Sequence, residues 1–515
     1  MSRVKLFPGG NPMKRLVVAT LVAMLSVPSL AMAKADLTIA TDAPPKSMNP
    51  HAYSSDANYS YMSNFFDGLL QRKPPEGKLE PALATAWKRI DPLTWEFKLR
   101  KGVKFHNGND FNAEDVKFTF ERMKDPKYSK FLNFGNSIAA IETPDDYTVI
   151  FTTVKPVPWF AETMHQNFIV DKESSLERED GDYNTKPIGT GAYIFDEWVK
   201  GSYLRMHANE DYWEGAPKYK HVEMRPIVEE ATRFAALAGK QVDIVNGVPL
   251  TLYERISKMA DVETINRPSR RCIYLHVSNK PGTPFADKRV RQALAYAIDE
   301  DEIIDKVMHG HATKSAQIPD QATIGYNPDI KRLEYNPEMA KKLLAEAGYP
   351  DGFEITIAGP NDRYINDEKI CEAIAKYLAK VGLKVNLDVK PKSIFFDELT
   401  EFKHPFYLIG WFDGSYDFGR SAEKLLHTWN KERGMGGYNG AVYSNPEIDK
   451  LIIESSSIID RGEREKALQK INEMAMEEVA YIPLHYQQDM FAVLKGKDIK
   501  FTPRADRWIV LKEIK

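Results

Sequence analysis

From Asp36 onward, stretches that alternate like half-buried strands keep giving way to stretches with apolar residues at helical spacing. "DLTIATD" and "TWEFKLR" carry the strand pattern, whereas "NAEDVKFTFERM" opens on Asn112 as a cap and continues with Val116, Phe120 and Met123 along one helical face. "GAYIFDEWVKGSYLRMHAN" reads as a hairpin turning at Lys200-Gly201. After Asp287, "DKRVRQALAYAID", "NPEMAKKLLAEAGY", "NDEKICEAIAKYLAKVG" and "GEREKALQKINEMAMEEVA" read as helices, with strands "FEITIAG", "LKVNLDVK" and "FYLIGW" between some of them. Helix following strand in this way specifies a mixed α/β class with a partly parallel sheet. The chain has 515 residues, more than one hydrophobic core serves, so about two or three domains are expected. The loop "NKPGTPFADK" reads as a boundary between lobes.

The N-terminus has the layout of a cleavable signal peptide over residues 1–33: Lys14 and Arg15, an apolar run from Leu16, and Ala31-Met32-Ala33 as the cleavage site. No later apolar run is long enough to span a bilayer, so the mature chain is expected to be exported and not inserted in the membrane. Losing Arg3, Lys5, Lys14 and Arg15 takes the formal net charge from -3 to -7. That acidity argues against nucleic acid or an anionic membrane as partner. Cys272 and Cys371 are the only cysteines; one disulfide or two buried thiols are both open.

Enzyme motifs are missing: no H-E-x-x-H, G-x-S-x-G or G-x-x-x-x-G-K-[ST] occurs. Ser421-Ala422-Glu423-Lys424 matches S-x-x-K without companion motifs, and Ser421 reads better as a helix cap. His309-Gly310-His311 lacks a third ligand nearby, so no metal is assigned. No cofactor is expected either. The glycines of "PIGTGAYIF" precede a strand and not a helix, so a tight strand entry, lining a cleft, is favoured over a phosphate cradle. Two segments stand out: "FYLIGWFDGSYDFGR", with Trp411, Asp413, Tyr416 and Asp417, and "GPNDRYINDEKI", with Arg363. Each begins where a strand hands over to a loop, the edge at which α/β sheets bind ligands. Acids and an Arg on such edges suit a zwitterionic or polar ligand.

The chain resembles the extracytoplasmic solute-binding proteins of family 5, typified by the periplasmic dipeptide- and oligopeptide-binding proteins that feed ABC importers. The resemblance rests on "LEPALATAWKRIDPLTWEFKLRKGVKFHNGNDFNAEDVKFTFERM", "PIGTGAYIF", "ANEDYW", "DKRVRQALAYAIDEDEII", "NPEMAKKLLAEAGYPDGF" and "YSNPEIDKLI". It implies a two-lobed periplasmic-binding-protein (Venus flytrap) fold with an additional domain on the first lobe. The first lobe would take residues 36–64, 187–277 and 487–515, the additional domain 65–186 and the second lobe 278–486. The chain would then cross the hinge near Val277-Ser278 and Tyr486-Gln487. The resemblance further implies a monomeric, non-catalytic periplasmic protein that delivers a small peptide or peptide-like solute to ABC permease subunits. Peptide binders of the family carry an acid three residues after the Trp, where this chain has Gly414. Asp413 or Asp417 is therefore left for the peptide ammonium and Arg363 for a carboxylate, with Trp411 as an apolar wall. Ser47, Met48, Asn49 and His51 are expected on the opposing first-lobe wall, with Tyr59, Tyr193 and Tyr274 as aromatic surface. The rival readings are an opine, sugar derivative or chelated metal in the same fold, an exported hydrolase, and a sensor that presents its ligand to a receptor.

Overall fold

The computed structural model describes residues 35–53, 55–177 and 184–515; the expected signal peptide lies outside the described residues. One mixed sheet of eleven strands runs through the molecule. At one end, Glu354–Pro360 lies between Lys384–Lys390 and Phe406–Trp411, parallel to both. The helix Asp367–Lys380 provides the crossover that a parallel pair requires. At the other end, Leu37–Thr41 runs parallel to His221–Pro226 and Ile244–Asn246, and the hairpin Tyr193–Val199 with Tyr203–Ala208 completes the edge. Two long antiparallel strands, Val262–Val277 and Tyr481–Leu494, join the two ends.

Each end has its own core, which makes two lobes. Leu37, Met62, Phe65, Leu204 and Met224 belong to the first, and Ile273, Leu294, Ile357, Leu408 and Ile471 to the second. The joining strands feed both. Cys272–Val277 pack in the second-lobe core, while Val262 packs with Met490 and Leu494 on the first-lobe side. The ladder slips between Pro268 and Cys272, where proline has no N–H to donate. The first crossing therefore falls at Pro268–Cys272, ahead of the Val277-Ser278 expected. The second strand passes from one core to the other between Leu484 and Met490.

The additional domain has a third core around a four-stranded antiparallel sheet, ordered Ala84–Arg89, Thr94–Leu99, Thr148–Thr153, Ile138–Asp145. Its helix Ala113–Arg122 begins with a capping box formed by Asn112 and Asp115 and buries Val116 and Phe120. The C-terminal tail returns to the first lobe. There Asn64 Oδ1 accepts from the Leu511 N–H at 2.8 Å, and its Nδ2 donates to the Ile509 carbonyl at 3.1 Å.

Two expectations change at this level. A Cβ built on Gly189 or Gly191 would fall 2.2 or 2.4 Å from the Phe65 backbone. These glycines let "PIGTGAYIF" pack against the end of helix Asp56–Phe65; they do not line a cleft. Cys272 and Cys371 are separate, buried thiols, and burial pushes the Cys272 thiol up to about 12.

Candidate functional site

The strand Phe406–Trp411 and the turn after Glu354–Pro360 end side by side, facing the first lobe across a cavity of about 810 Å3. Gly410 allows this arrangement. A Cβ there would lie 2.7 Å from the Tyr364 ring, so only glycine lets Tyr364 lie over the strand end and donate its hydroxyl to the Gly410 carbonyl at 3.1 Å. Trp411 follows, half-buried at the cavity wall. Its indole N–H donates to Ser421 Oγ at 2.9 Å, and its ring meets Tyr438 edge-on at 5.3 Å. The opposing wall carries Tyr59, tilted against Trp508 at 4.9 Å, with Gln166 from the additional domain. Gly414, at the position where family peptide binders carry an acid, faces that Gln166: a Cβ would sit 3.4 Å from its Oε1.

Arg363 is exposed on this cavity, 5.3 Å from the Tyr364 ring. Asp367 holds its loop in place by accepting from the backbone N–H of Arg363 and of Tyr364, both at 2.9 Å. Arg271, inside the ladder break, is 3.5 Å from Asp56. Burial lowers its pKa against the pull of Asp56, and the nearby Arg363 and Arg507 guanidiniums add to the lowering. The other lining acids are also matched: Asp42 lies 3.5 Å from Arg507, Asp362 3.7 Å from Lys392, and Asp506 2.7 Å from Arg504. Arg363 makes no ion pair among the described residues, so the cavity offers a free cation against a set of already paired charges.

Two of the expected site residues, Trp411 and Arg363, thus come together in the cavity with Tyr59. The acids do not. Asp413 is buried and accepts from Arg420 at 2.8 Å, from the Ser415 N–H and Oγ at 2.8 and 2.6 Å, and from Ser421 Oγ at 3.0 Å. Burial alone would raise its pKa, but Arg420 and the Ser415 donors hold it below the usual carboxylate range. Its lone pairs are already engaged, so it is no ammonium site. Asp417 caps the helix Phe418–Leu425 and forms a buried ion pair with Arg464, with 2.8 Å between Arg464 Nη2 and Asp417 Oδ1. Tyr416 is buried between two guanidiniums, Arg72 at 3.6 Å and Arg270 at 3.3 Å from its ring centre.

The expected first-lobe wall is corrected too. The loop after the first strand turns toward the additional domain. Ser47 bonds to Asn184 at 3.2 Å and Asn49 to the Tyr128 carbonyl at 2.9 Å, while Met48 is core. His51 is fully buried against the Phe168 carbonyl at 2.9 Å, and burial, helped by Arg122, drops its pKa to about 3. Tyr193 donates to the Tyr219 carbonyl inside the first lobe, and Tyr274 is packed in the second-lobe core. Sequence reading passed over Asp56, Arg271 and Tyr364. Its available signals were Ser55 as a cap ahead of Asp56 and a charged pair, Arg270-Arg271, directly ahead of the apolar run from Cys272 to Leu275.

The family model described as bacterial extracellular solute-binding proteins, family 5 Middle, matches residues 78–433. Heme-binding protein A of Haemophilus influenzae is 29% identical over 483 residues, covering 85% of each chain. Glutathione-binding protein GsiB of Shigella flexneri is 27% identical over 480 residues, covering 91% of this chain and 92% of the relative. The structure of the ABC transporter-associated periplasmic binding protein DppA from Helicobacter pylori, in complex with peptide STSA, matches with a TM-score of 0.73 at 29% identity, over 90% of this chain and 94% of that one. The two lobes with their additional domain are the periplasmic-binding-protein fold. No helix among the described residues is long and apolar enough to cross a membrane.

Proposed function

The chain belongs to family 5 of the bacterial extracellular solute-binding proteins, the substrate-binding components of ABC importers, and on that premise we propose that it captures a small peptide or peptide-like solute in the periplasm and delivers it to a membrane permease. The observation that carries this reading is the cavity between the lobes, of about 810 Å3, in which an aromatic wall from one lobe faces the other and Arg363 stands without a counterion among the described residues. A volume of this size, mostly pre-formed with a few placed polar groups, suits a small organic ligand. Trp411, Tyr364 and Tyr59 exclude water from both sides. The bidentate face of Arg363 takes a carboxylate of the solute. The role first expected of Asp413 or Asp417, holding the ammonium, passes to Asp56, whose side chain is about a third exposed and which the ammonium then shares with Arg271, 3.5 Å away. A solute touching both lobes binds the closed form more tightly than the open one, so binding itself drives closure, and closure is the signal for a permease. No catalytic step is involved.

The test is thermal melting of the mature protein, first stripped of endogenous ligand, against di-, tri- and tetrapeptides that are free or blocked at the amine. A ligand at 100 times its dissociation constant adds about 2.7 kcal/mol of stability. A rise in melting temperature with free peptides that is lost on blocking the amine is expected. No shift with any peptide removes the peptide assignment and leaves an opine, sugar derivative or chelated metal as cargo.

A further inference from the structure

The charges that line the cavity divide by lobe. The second-lobe half carries Arg363, Lys392, Arg420 and Lys424 against a single acid among the described residues, Asp362. The first-lobe half carries Asp42, Asp56 and Asp506 with Arg507. Among the cations, Arg420 has a setting built for it. It projects from the helix Phe418–Leu425, and Asp413 behind it takes only its Nη1, at 2.8 Å. The Asp413 side chain is 5% exposed and that of Arg420 37%, so the acid is a buried anchor and the guanidinium reaches into the cavity. Tyr59 of the opposing wall is near enough to bear on its charge, as a cation facing the cleft requires. The other edge of the guanidinium, Nε and Nη2, donates to no atom of the described residues. Two N–H groups side by side on such an edge match the two oxygens of one carboxylate. Lys424, one helical turn on, lines the same cavity and adds its charge there while donating to the Gly434 carbonyl at 2.9 Å.

Resting on the reading of the cleft as a peptide site, we propose that Arg420 is a second anion site and that the cargo is a diacid: one carboxylate on Arg363, another on the Nε–Nη2 edge of Arg420, and the ammonium toward Asp56 in the first lobe. Closure of the lobes takes the Arg420 edge out of bulk water. A solute with a single carboxylate leaves that edge without an acceptor, whereas a second carboxylate meets it, so the difference between the two solutes is a desolvated, charge-assisted contact. Asp413 then has a task that its burial suits. It fixes the guanidinium from behind, so the edge is already oriented when the solute arrives.

Titration calorimetry on the mature protein compares Glu-Ala-Ala, Ala-Glu-Ala and Ala-Ala-Glu, each with its Gln counterpart. At one of these positions the Glu peptide is expected to bind roughly tenfold more tightly than the Gln peptide, the worth of one charge-assisted contact. Arg420→Lys keeps a cation on Asp413 but lacks the planar edge, and the preference is expected to shrink to about threefold. Asp413→Asn combined with Arg420→Gln removes both charges of the pair, so neither is stranded, and the preference is expected to vanish. Arg363→Gln is expected to weaken the Glu and Gln peptides alike and to leave their ratio standing. Indifference to Glu against Gln at every position, a preference left at its wild-type size by the changes at Arg420, or one abolished by Arg363→Gln each overturns the second anion site while the peptide reading stands. Failure of every peptide to bind the wild type overturns the peptide reading itself, and this inference with it.

Discussion

Asp417 shows what a carboxylate near a ligand cleft can be doing instead. With Arg464 it forms an ion pair whose side chains are 1% and 6% exposed, and it caps a helix with its other bonds. Removing one partner of such a pair strands the other charge in low dielectric, so Asp417→Asn is expected to lower unfolding stability by about 3–5 kcal/mol in denaturant titration. Peptide affinity of the folded fraction should stay as it was. Lost affinity at unchanged stability would return Asp417 to the cleft. Trp411 and Arg363 were legible because their place depends on local facts, the end of a strand and the turn before a helix. Asp413 and Asp417 were not, since their partners Arg420 and Arg464 lie seven and forty-seven residues on, and nothing local announces them. Tyr193 and Tyr274 failed for another reason. The strand around Tyr274 is buried on both faces from Cys272 to Val277, so alternation does not say which side meets a ligand, and Tyr193 is the buried first residue of an edge strand, held inside the first lobe by the Tyr219 carbonyl.

At the scale of elements, strand period, helical spacing and capping residues carried most of the information. The hairpin Tyr193–Val199 with Tyr203–Ala208 turns where Lys200-Gly201 stands, and Asn112 caps the helix Ala113–Arg122. Ser421 was misread as a cap because Asp417, four residues earlier, starts that helix; Ser421 instead links Trp411 to Asp413 from inside it. The lobe crossing was misplaced because the loop after Val277 is the more conspicuous break in composition, while the physical break is Pro268 in the middle of a strand. "PIGTGAYIF" makes a prediction of its own. Gly191 packs directly on the last residue of helix Asp56–Phe65, which carries Tyr59 into the cleft. Gly191→Ala is expected to overpack that contact, costing about 1–3 kcal/mol in a thermal or denaturant melt. A melting curve identical to the wild type would show that the helix can shift to make room.

For the molecule as a whole, the additional domain and the second lobe meet along a seam. Tyr416 is clasped between Arg72 of the former and Arg270 of the crossing strand, Lys155 lies 3.3 Å from Glu423, and Arg89 donates to the Ser456 and Ile458 carbonyls at 3.2 and 3.0 Å. Contacts of this kind exist only when the lobes are together, so they add to the closed state. Each desolvated cation–π contact is worth up to about 2 kcal/mol. Tyr416→Ala is therefore expected to enlarge the ligand-free protein in small-angle scattering and to weaken ligand binding about tenfold or more; unchanged scattering and affinity would make the seam a passive contact. The tail that returns to the first lobe bears on how such a molecule is made. Asn64 is held by Ile509 and Leu511, and Tyr59 leans on Trp508. A chain that grows from its N-terminus lacks these partners of the helix Asp56–Phe65 until Trp508 to Leu511 have been made, so the first-lobe wall of the cavity takes its final packing only after the strands and helices between them exist.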